Sequence, residues 1–330
     1  MSAQPPALIP PAELVGRSES APVVPTLIAA AGDQAERRFL EFFAVTIRNR
    51  NTRRAYGRAC GEFLAWCTDA GVQQLAAVQP LHVATWIEMQ TRTLAAPSVK
   101  QHLAAVRHLF DWLVIGQVVP VNPAASVRGP AHVVRQGKTP VLEPAEARAL
   151  LDSIDTTTHA GLRDRALIGL MIYSFARIGA ALGMKVEDVF TQNRRFWVRL
   201  HEKGGKAHAM PCHHSLEAYL IAYLEQTGIM EDDHGPLFRT IWRGTGRLTT
   251  TPLPQANAYA MIRRRAEAAG IKTKVGNHSF RATGITAYLK NGGTLEKAAA
   301  MANHASTRTT QLYDRRRDEM SLDEVERIRV

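Results

Sequence analysis

The sequence predicts a two-domain, mainly α-helical chain with a small antiparallel β-sheet in the second domain. Three observations predict it. Apolar residues recur at three- and four-residue intervals through residues 34–127 and again after Leu142. A basic stretch punctuated by Gly and Pro separates those two helical blocks. The period changes to strand-like alternation around Phe196 to Lys203, where a hairpin is expected. A chain of 330 residues is long enough to build two cores.

Residues 1–33 are rich in Pro, Ala and Ser and predict a flexible N-terminal arm. Residues 34–127 predict a bundle of four or five helices. The apolar positions Phe39, Phe42 and Phe43 begin it, Phe63, Leu64 and Cys67 continue it, and Val99, Leu103, Val106, Leu109, Phe110 and Leu113 close it. Pro80, Pro97, Pro120 and Pro123 mark the boundaries between helices. Residues 128–141, with Gly129-Pro130 and Gly137, read as a linker. In the second domain, residues 142–330, Glu143-Pro144-Ala145-Glu146 opens a helix and the span 161–182 predicts another. Phe196 to Lys203 alternates, Gly204-Gly205 suits a two-residue turn, and Lys206 to Cys212 returns. Helical patterns fill most of the rest. The tail, residues 319–330, places Leu322, Val325 and Ile328 at helical spacing, as a short amphipathic docking piece would.

Lys and Arg total 41 against 30 Asp and Glu, a formal charge of +11. That balance points to a polyanionic partner. The longest apolar stretch, Ala166 to Ala176, is far short of a bilayer span and reads as a buried helix. No export signal is evident at the start of the chain. Three cysteines cannot all pair with one another, and Cys60 and Cys67 fall seven apart on an apolar helix face, so they read as core thiols. The expectation is a cytoplasmic protein without a membrane partner.

The C-terminal fifty residues carry the chemistry. His278 and Arg281 are spaced i, i+3, so a helix projects both from one face. Asn303-His304 precedes Ser306 and Thr307, either of which can cap a following helix, and Tyr313 is expected about two turns further along it. Cutting a phosphodiester needs an in-line nucleophile, neutralised non-bridging oxygens and a proton for the leaving oxygen. Tyrosine is a weak nucleophile at neutral pH, and a cationic site favours its phenolate. Arginine matches phosphate with a planar fork that keeps its charge. Singly, each residue has an ordinary explanation: a packing tyrosine, a helix-surface His-x-x-Arg pair, or a cation where a helix ends.

In joint order and spacing these residues resemble the tyrosine recombinases, the phage-integrase family of site-specific DNA recombinases. The resemblance extends upstream. Arg177, in Tyr173-Ser-Phe-Ala-Arg177-Ile-Gly-Ala-Ala-Leu182, matches the family's first arginine, and Lys203, in Glu-Lys203-Gly-Gly-Lys206, matches its hairpin lysine. It covers about 142–317, with a weaker likeness in the N-terminal bundle. By this resemblance the catalytic residues are Arg177, Lys203, His278, Arg281, His304 and Tyr313. Arg177 and Arg281 clamp the scissile phosphate, and Lys203 protonates the leaving 5′-oxygen. His278 assists proton transfer, His304 hydrogen-bonds a phosphate oxygen, and Tyr313 attacks to give a 3′-phosphotyrosine. No cofactor, metal or ATP is implied. The implied architecture is a two-domain DNA clamp, an N-terminal core-binding domain plus a catalytic domain. The implied partners are double-stranded DNA recombination sites, three further copies in a homo-tetramer on synapsed DNA, and accessory DNA-bending or directionality proteins.

Three departures from the family pattern stand out. Ala180 occupies a position usually acidic, so the group orienting Arg177 must come from elsewhere. Glu202 and His208 replace a usual glycine and arginine at the hairpin. Asn303 replaces a usual glycine, and both residues tolerate a left-handed turn.

For nucleic acid, Arg48, Arg50, Arg53, Arg54 and Arg58 crowd the start of one helix, with Lys100, Arg107 and Lys206 extending the expected surface. Gly129 to Gly137-Lys138-Thr139 lacks the spacing and strand–loop–helix context of a phosphate loop. His201, His208, Cys212, His213 and His214 fit no zinc spacing. The competing readings are a catalytically inactive DNA-binding regulator of the same fold and a type IB-like topoisomerase. A third, an RNA-binding or membrane-surface protein, predicts no covalent adduct.

Overall fold

The structure, a computed structural model, describes residues 24–132, 137–202 and 206–314, with the Lys206 side chain set aside. The chain divides into two compact units, Met1–Val133 and Val134–Val330, within the stretch expected as a linker.

Among the described residues, the regular elements of the first unit are all helices. The first described element is a short α1 (Thr26–Ala29), followed by α2 (Asp33–Glu41), a π-helical turn (Phe42–Thr46) and α3 (Arg50–Asp69). Then come α4 (Pro80–Thr91) and α5 (Ala96–Ile115). Leu27 and Ile28 are buried in this unit's core, so the span assigned to a flexible arm holds core residues from α1 onward. Two apolar side chains overrode the Pro- and Ala-rich composition there. Asn49 caps α3 by accepting from the backbone N–H groups of Asn51 and Thr52, at 3.0 and 3.1 Å. Prolines at the first turns of α4 and α5 start those helices, where a missing N–H costs nothing. Phe63 of α3 meets Trp86 of α4 and Phe110 of α5 edge-on, tying three helices together. Cys60 and Cys67 are buried free thiols, held well above the usual range by burial.

The second unit starts with α6 (Pro144–Asp152), whose backbone entry is capped by Glu146 reaching back to the Glu143 N–H at 3.1 Å. Helix α7 (His159–Tyr173) follows, then a break, then α8 (Ile178–Leu182). The single helix expected over 161–182 is therefore two. Phe175 adopts φ +55°, outside the helical region, and ends α7. Three antiparallel strands come next, β1 (Val189–Gln192), β2 (Arg195–Glu202) and β3 (Lys206–Pro211), in spatial order β1-β2-β3. The expected hairpin pairs β2 with β3, Glu202 opposite Lys206. Strand β1 was not expected; its turn, Asn193-Arg194, has positive φ at both residues, as tight hairpins require.

Helix α9 (His214–Thr227) leads to a second sheet, the two-stranded pair β4 (Arg239–Ile241) and β5 (Leu248–Pro252). The chain then forms α10 (Gln255–Ala268), α11 (Asn277–Lys290), α12 (Leu295–Met301) and a five-residue α13 (Thr307–Gln311). Helix α7 is the buried centre of this unit: Ala166, Leu167, Ile168, Leu170 and Met171 are inaccessible to solvent. A buried Asp164 accepts from Arg163 and Arg265, joining α7 to α10. Among the described residues, no helix is long and apolar enough to cross a membrane.

Candidate active site

The break between α7 and α8 positions the first arginine. Arg177 is the residue preceding α8, with φ −72° and ψ 143°. It thus sits at a helix start rather than inside the single helix expected over 161–182. The left-handed Phe175 turns its carbonyl to accept a hydrogen bond from Nη1 of Arg281. Arg281 comes from the second turn of α11, and its side chain is 1% exposed. Its Nη2 donates to the Ala302 carbonyl at 2.5 Å and to Nε2 of His304 at 2.7 Å. Gly284, one turn on, lets α11 lie against the break, because a Cβ there would collide with the Ile172 carbonyl and the Phe175 ring.

His304 follows Asn303, whose φ of +47° is the left-handed turn expected of the residue replacing glycine. A guanidinium only donates, so Nε2 of His304 accepts and its proton sits on Nδ1. Nδ1 is 2.8 Å from Oγ1 of the buried Thr310. The Tyr313 ring stacks on the His304 ring at 5.9 Å, nearly parallel. Tyr313 lies in the turn after α13 rather than on the helix: three threonines in five residues give a weak helix that stops at Gln311. Its backbone carbonyl accepts from the Thr286 hydroxyl of α11 at 2.8 Å.

Burial and the cationic field set the electrostatics. Burial first, then Arg281 and Arg177, push His304 down to about 4. The same three causes, led by the desolvation of its inner side, lower His278, which stands in the first turn of α11 and keeps part of its surface exposed. Both imidazoles are therefore neutral at pH 7. Burial and the neighbouring Arg177 hold Arg281 down to about 10, opposed by Glu202 and Tyr313. Glu202, at the end of β2, bonds Nη1 of Arg177 at 2.5 Å and stands 3.9 Å from Nη1 of Arg281.

The structure thus brings Arg177, Arg281, His304 and Tyr313 together, with His278 within their field. Lys203 lies outside the described residues, directly after Glu202 in sequence. A phosphate-sized anion facing these groups would meet two guanidiniums, two neutral imidazoles and a phenol.

Comparison with known proteins gives the family. The model of the phage integrase family matches residues 140–320, and that of the phage integrase N-terminal SAM-like domain matches residues 37–116. The chain belongs to the tyrosine recombinase family. Its members break and rejoin DNA strands. The tyrosine recombinase XerD of Mycobacterium leprae is 31% identical over 284 residues, covering 80% of this chain and 86% of that protein. In fold, the chain resembles XerH site-specific recombinase bound to palindromic difH substrate in a post-cleavage complex. The TM-score is 0.66 and the identity 15%, covering 92% of this chain and 97% of that one. A λ integrase dimer bound to a COC′ core site matches at TM-score 0.65 and 17% identity, covering 87% and 96%.

The basic residues of this recombinase's first unit differ in their exposure and in what they hold. Arg48, Arg50, Arg53, Arg54, Arg58 and Lys100 are exposed, with Arg54 donating to Oδ1 of Asn51 at 3.3 Å. Arg53 donates to the Ile47 carbonyl and Arg58 is paired with Glu62 at 2.7 Å. Arg107 is committed to structure. Its guanidinium donates to the Ala124 and Val127 carbonyls at 3.1 and 2.6 Å, fastening the chain after α5. The Lys206 side chain and the tail with Leu322, Val325 and Ile328 lie outside the described residues. Of the histidines around the hairpin, His201 contacts Asp188, His208 the Met301 carbonyl, and His213 lies between Tyr173 and His214, whose ring centroid is 4.0 Å away. Among the described residues, no group of three or more His, Cys, Asp or Glu could hold a metal ion.

Sequence reasoning missed the contributions of Phe175, Gly284 and Thr310. The run Ser174-Phe175-Ala176 carries no Gly or Pro to signal a break, and a helical glycine carries no sign of what it touches. Thr310 sits three residues before Tyr313, a spacing that could have suggested a hydroxyl facing His304.

Proposed function

We propose that this chain is a site-specific recombinase that cuts and rejoins duplex DNA through a 3′-phosphotyrosine at Tyr313. The observation that carries the proposal is the convergence of Arg177, Arg281, His304 and Tyr313 at the junction of the α7–α8 break, α11 and α13. In this reading Arg177 and Arg281 bind the non-bridging oxygens of the scissile phosphate and neutralise charge that develops there. The Tyr313 oxygen attacks phosphorus, its proton passing by way of His278, and the 5′-oxygen departs with a proton from Lys203. His304 donates to a phosphate oxygen once the phosphate displaces its contact with Arg281 and the ring takes the Nε2–H tautomer, Nδ1 then accepting from the Thr310 hydroxyl. A phosphotyrosine exchanges one phosphodiester for another, so a 5′-hydroxyl rejoins it without ATP or metal.

Support for a duplex DNA partner comes from the charge of +11 and from fold neighbours solved with DNA sites. Arg48, Arg50, Arg53, Arg54, Arg58 and Lys100, exposed on the first unit, are the side chains offered to phosphates. A λ integrase tetramer bound to a Holliday junction, also a fold neighbour, supports a homo-tetramer as the working assembly. We place the activity in the cytoplasm, with accessory DNA-bending proteins as further partners.

The test uses the full-length protein and a library of nicked duplexes with randomised arms, incubated in EDTA and quenched with detergent. Covalent adducts recovered and sequenced define the cleaved site. Adducts that map to Tyr313 support the proposal. Site-selective binding without any adduct would favour a regulator that has lost catalysis.

A further inference from the structure

Glu202 is a carboxylate in an unusual place. A glutamate at the end of a strand, next to a hairpin turn, ordinarily faces solvent; this one is 6% exposed. A buried carboxylate is stable only when paired. Its Oε2 bonds Nη1 of Arg177 at 2.5 Å, and its Oε1 lies 3.9 Å from Nη1 of Arg281. Among the described residues, that Oε1 and Nε of Arg281 have no hydrogen-bond partner. One carboxylate therefore stands between the two guanidiniums that face the reacting phosphate. Position 180, one helical turn after Arg177, offers no counter-charge, being a buried alanine.

We propose that Glu202 is the positioning residue that holds Arg177 and Arg281 side by side for the scissile phosphate, supplying from β2 the carboxylate that α8 lacks. The inference rests on the recombinase reading above. Two like charges a few ångströms apart repel, and each guanidinium swings away unless a shared anion holds it. Arg281 has further anchors in the Phe175 and Ala302 carbonyls and His304. Arg177 has no other ion pair among the described residues, and its side chain is 34% exposed. Its direction thus depends on Glu202. The charges also balance. The two guanidinium charges are matched by one carboxylate and one phosphodiester, so the positive charge left when DNA is bound is that of the Lys203 acid.

This arrangement separates binding from chemistry. Glu202→Gln keeps shape and volume but removes the negative charge, so the site attracts DNA at least as strongly while Arg177 loses its direction. On a duplex selected by the wild-type protein, E202Q is expected to form the Tyr313 adduct about 100-fold more slowly, the loss typical of misplacing one group that stabilises transition-state charge. DNA affinity should be unchanged or tighter, whereas a purely structural role would weaken both. A 5′-bridging phosphorothioate, whose thiolate leaves without a proton, should not restore E202Q. Returning a carboxylate should: Glu202→Asp, or Glu202→Gln combined with Ala180→Glu, is expected to recover about tenfold or more of the lost rate.

E202Q cleaving within about threefold of wild type, well inside one pairwise interaction, overturns the proposal. So does full rescue by the sulfur leaving group, which would assign Glu202 to the proton supplied by Lys203. Should E202Q fail to fold, E202D decides, since it keeps the carboxylate: an active E202D supports the assignment, and a folded but inactive one overturns it when the double variant is inactive too. A wild-type chain that forms no adduct on any duplex overturns the recombinase reading itself, a result distinct from these.

Discussion

His304 is held at both ring nitrogens, by Arg281 on one side and Thr310 on the other. The guanidinium fixes the tautomer, and the threonine hydroxyl takes the remaining proton. Thr310→Val leaves that N–H unpaired in a buried position and should cost about 1–3 kcal/mol in stability, while Thr310→Ser should cost little, as thermal melts would show. The lowered basicity of His304 also makes stability depend on pH. Its folded value is about 4 against an ordinary value of 6.5, so between those limits the unfolded chain binds the extra proton. Stability from this group is fully present above about pH 6.5 and drains away as pH falls towards 4. The melting temperature should drop across that window, and less steeply in His304→Gln. A slope unchanged in the variant would contradict the assignment. Asn303, at φ +47°, should accept glycine within about 0.5 kcal/mol and lose about 1 kcal/mol on change to alanine.

At the scale of elements, the break between α7 and α8 creates the site. Phe175 leaves the helix so that its carbonyl meets Arg281, and Arg177 opens the next helix facing Glu202. Gly284 permits the close crossing of α11 over this turn. Gly284→Ala should therefore destabilise the second unit by about 1–3 kcal/mol and slow cleavage with it, measurable by denaturant melts and adduct formation. A neutral effect on both would sink this account of the crossing. The β2–β3 hairpin, the helices of the first unit and the order of the reactive residues were legible, since each rests on local periodicity or spacing. The break was not, because an apolar run buried on all sides reads as one helix whether or not it bends. Glu202 was visible as a departure, but its burial follows from packing between β2 and α8, which no local pattern encodes. The N-terminal boundary failed for a related reason: Leu27 and Ile28 are buried by packing against α2 and α3 together, which four residues of α1 cannot signal alone.

For the whole molecule, the net charge of +11 predicts affinity for DNA that falls steeply with salt. The arginines should separate by role. Arg54→Ala should reduce the slope of log affinity against log salt by about 0.9 if it meets one phosphate. Arg107→Ala should leave that slope nearly unchanged and lower the melting temperature, because its guanidinium fastens the Ala124 and Val127 carbonyls. Equal slope changes for both variants would contradict this division. All of these expectations depend on one covalent event. Wild-type protein and Tyr313→Phe should be incubated side by side with the selected nicked duplex in EDTA and resolved on a denaturing gel. The account predicts a protein–DNA band with the wild type, mapping by peptide analysis to Tyr313, and none with the variant. An adduct that persists in Tyr313→Phe, or that forms only when a divalent metal is restored, would contradict it.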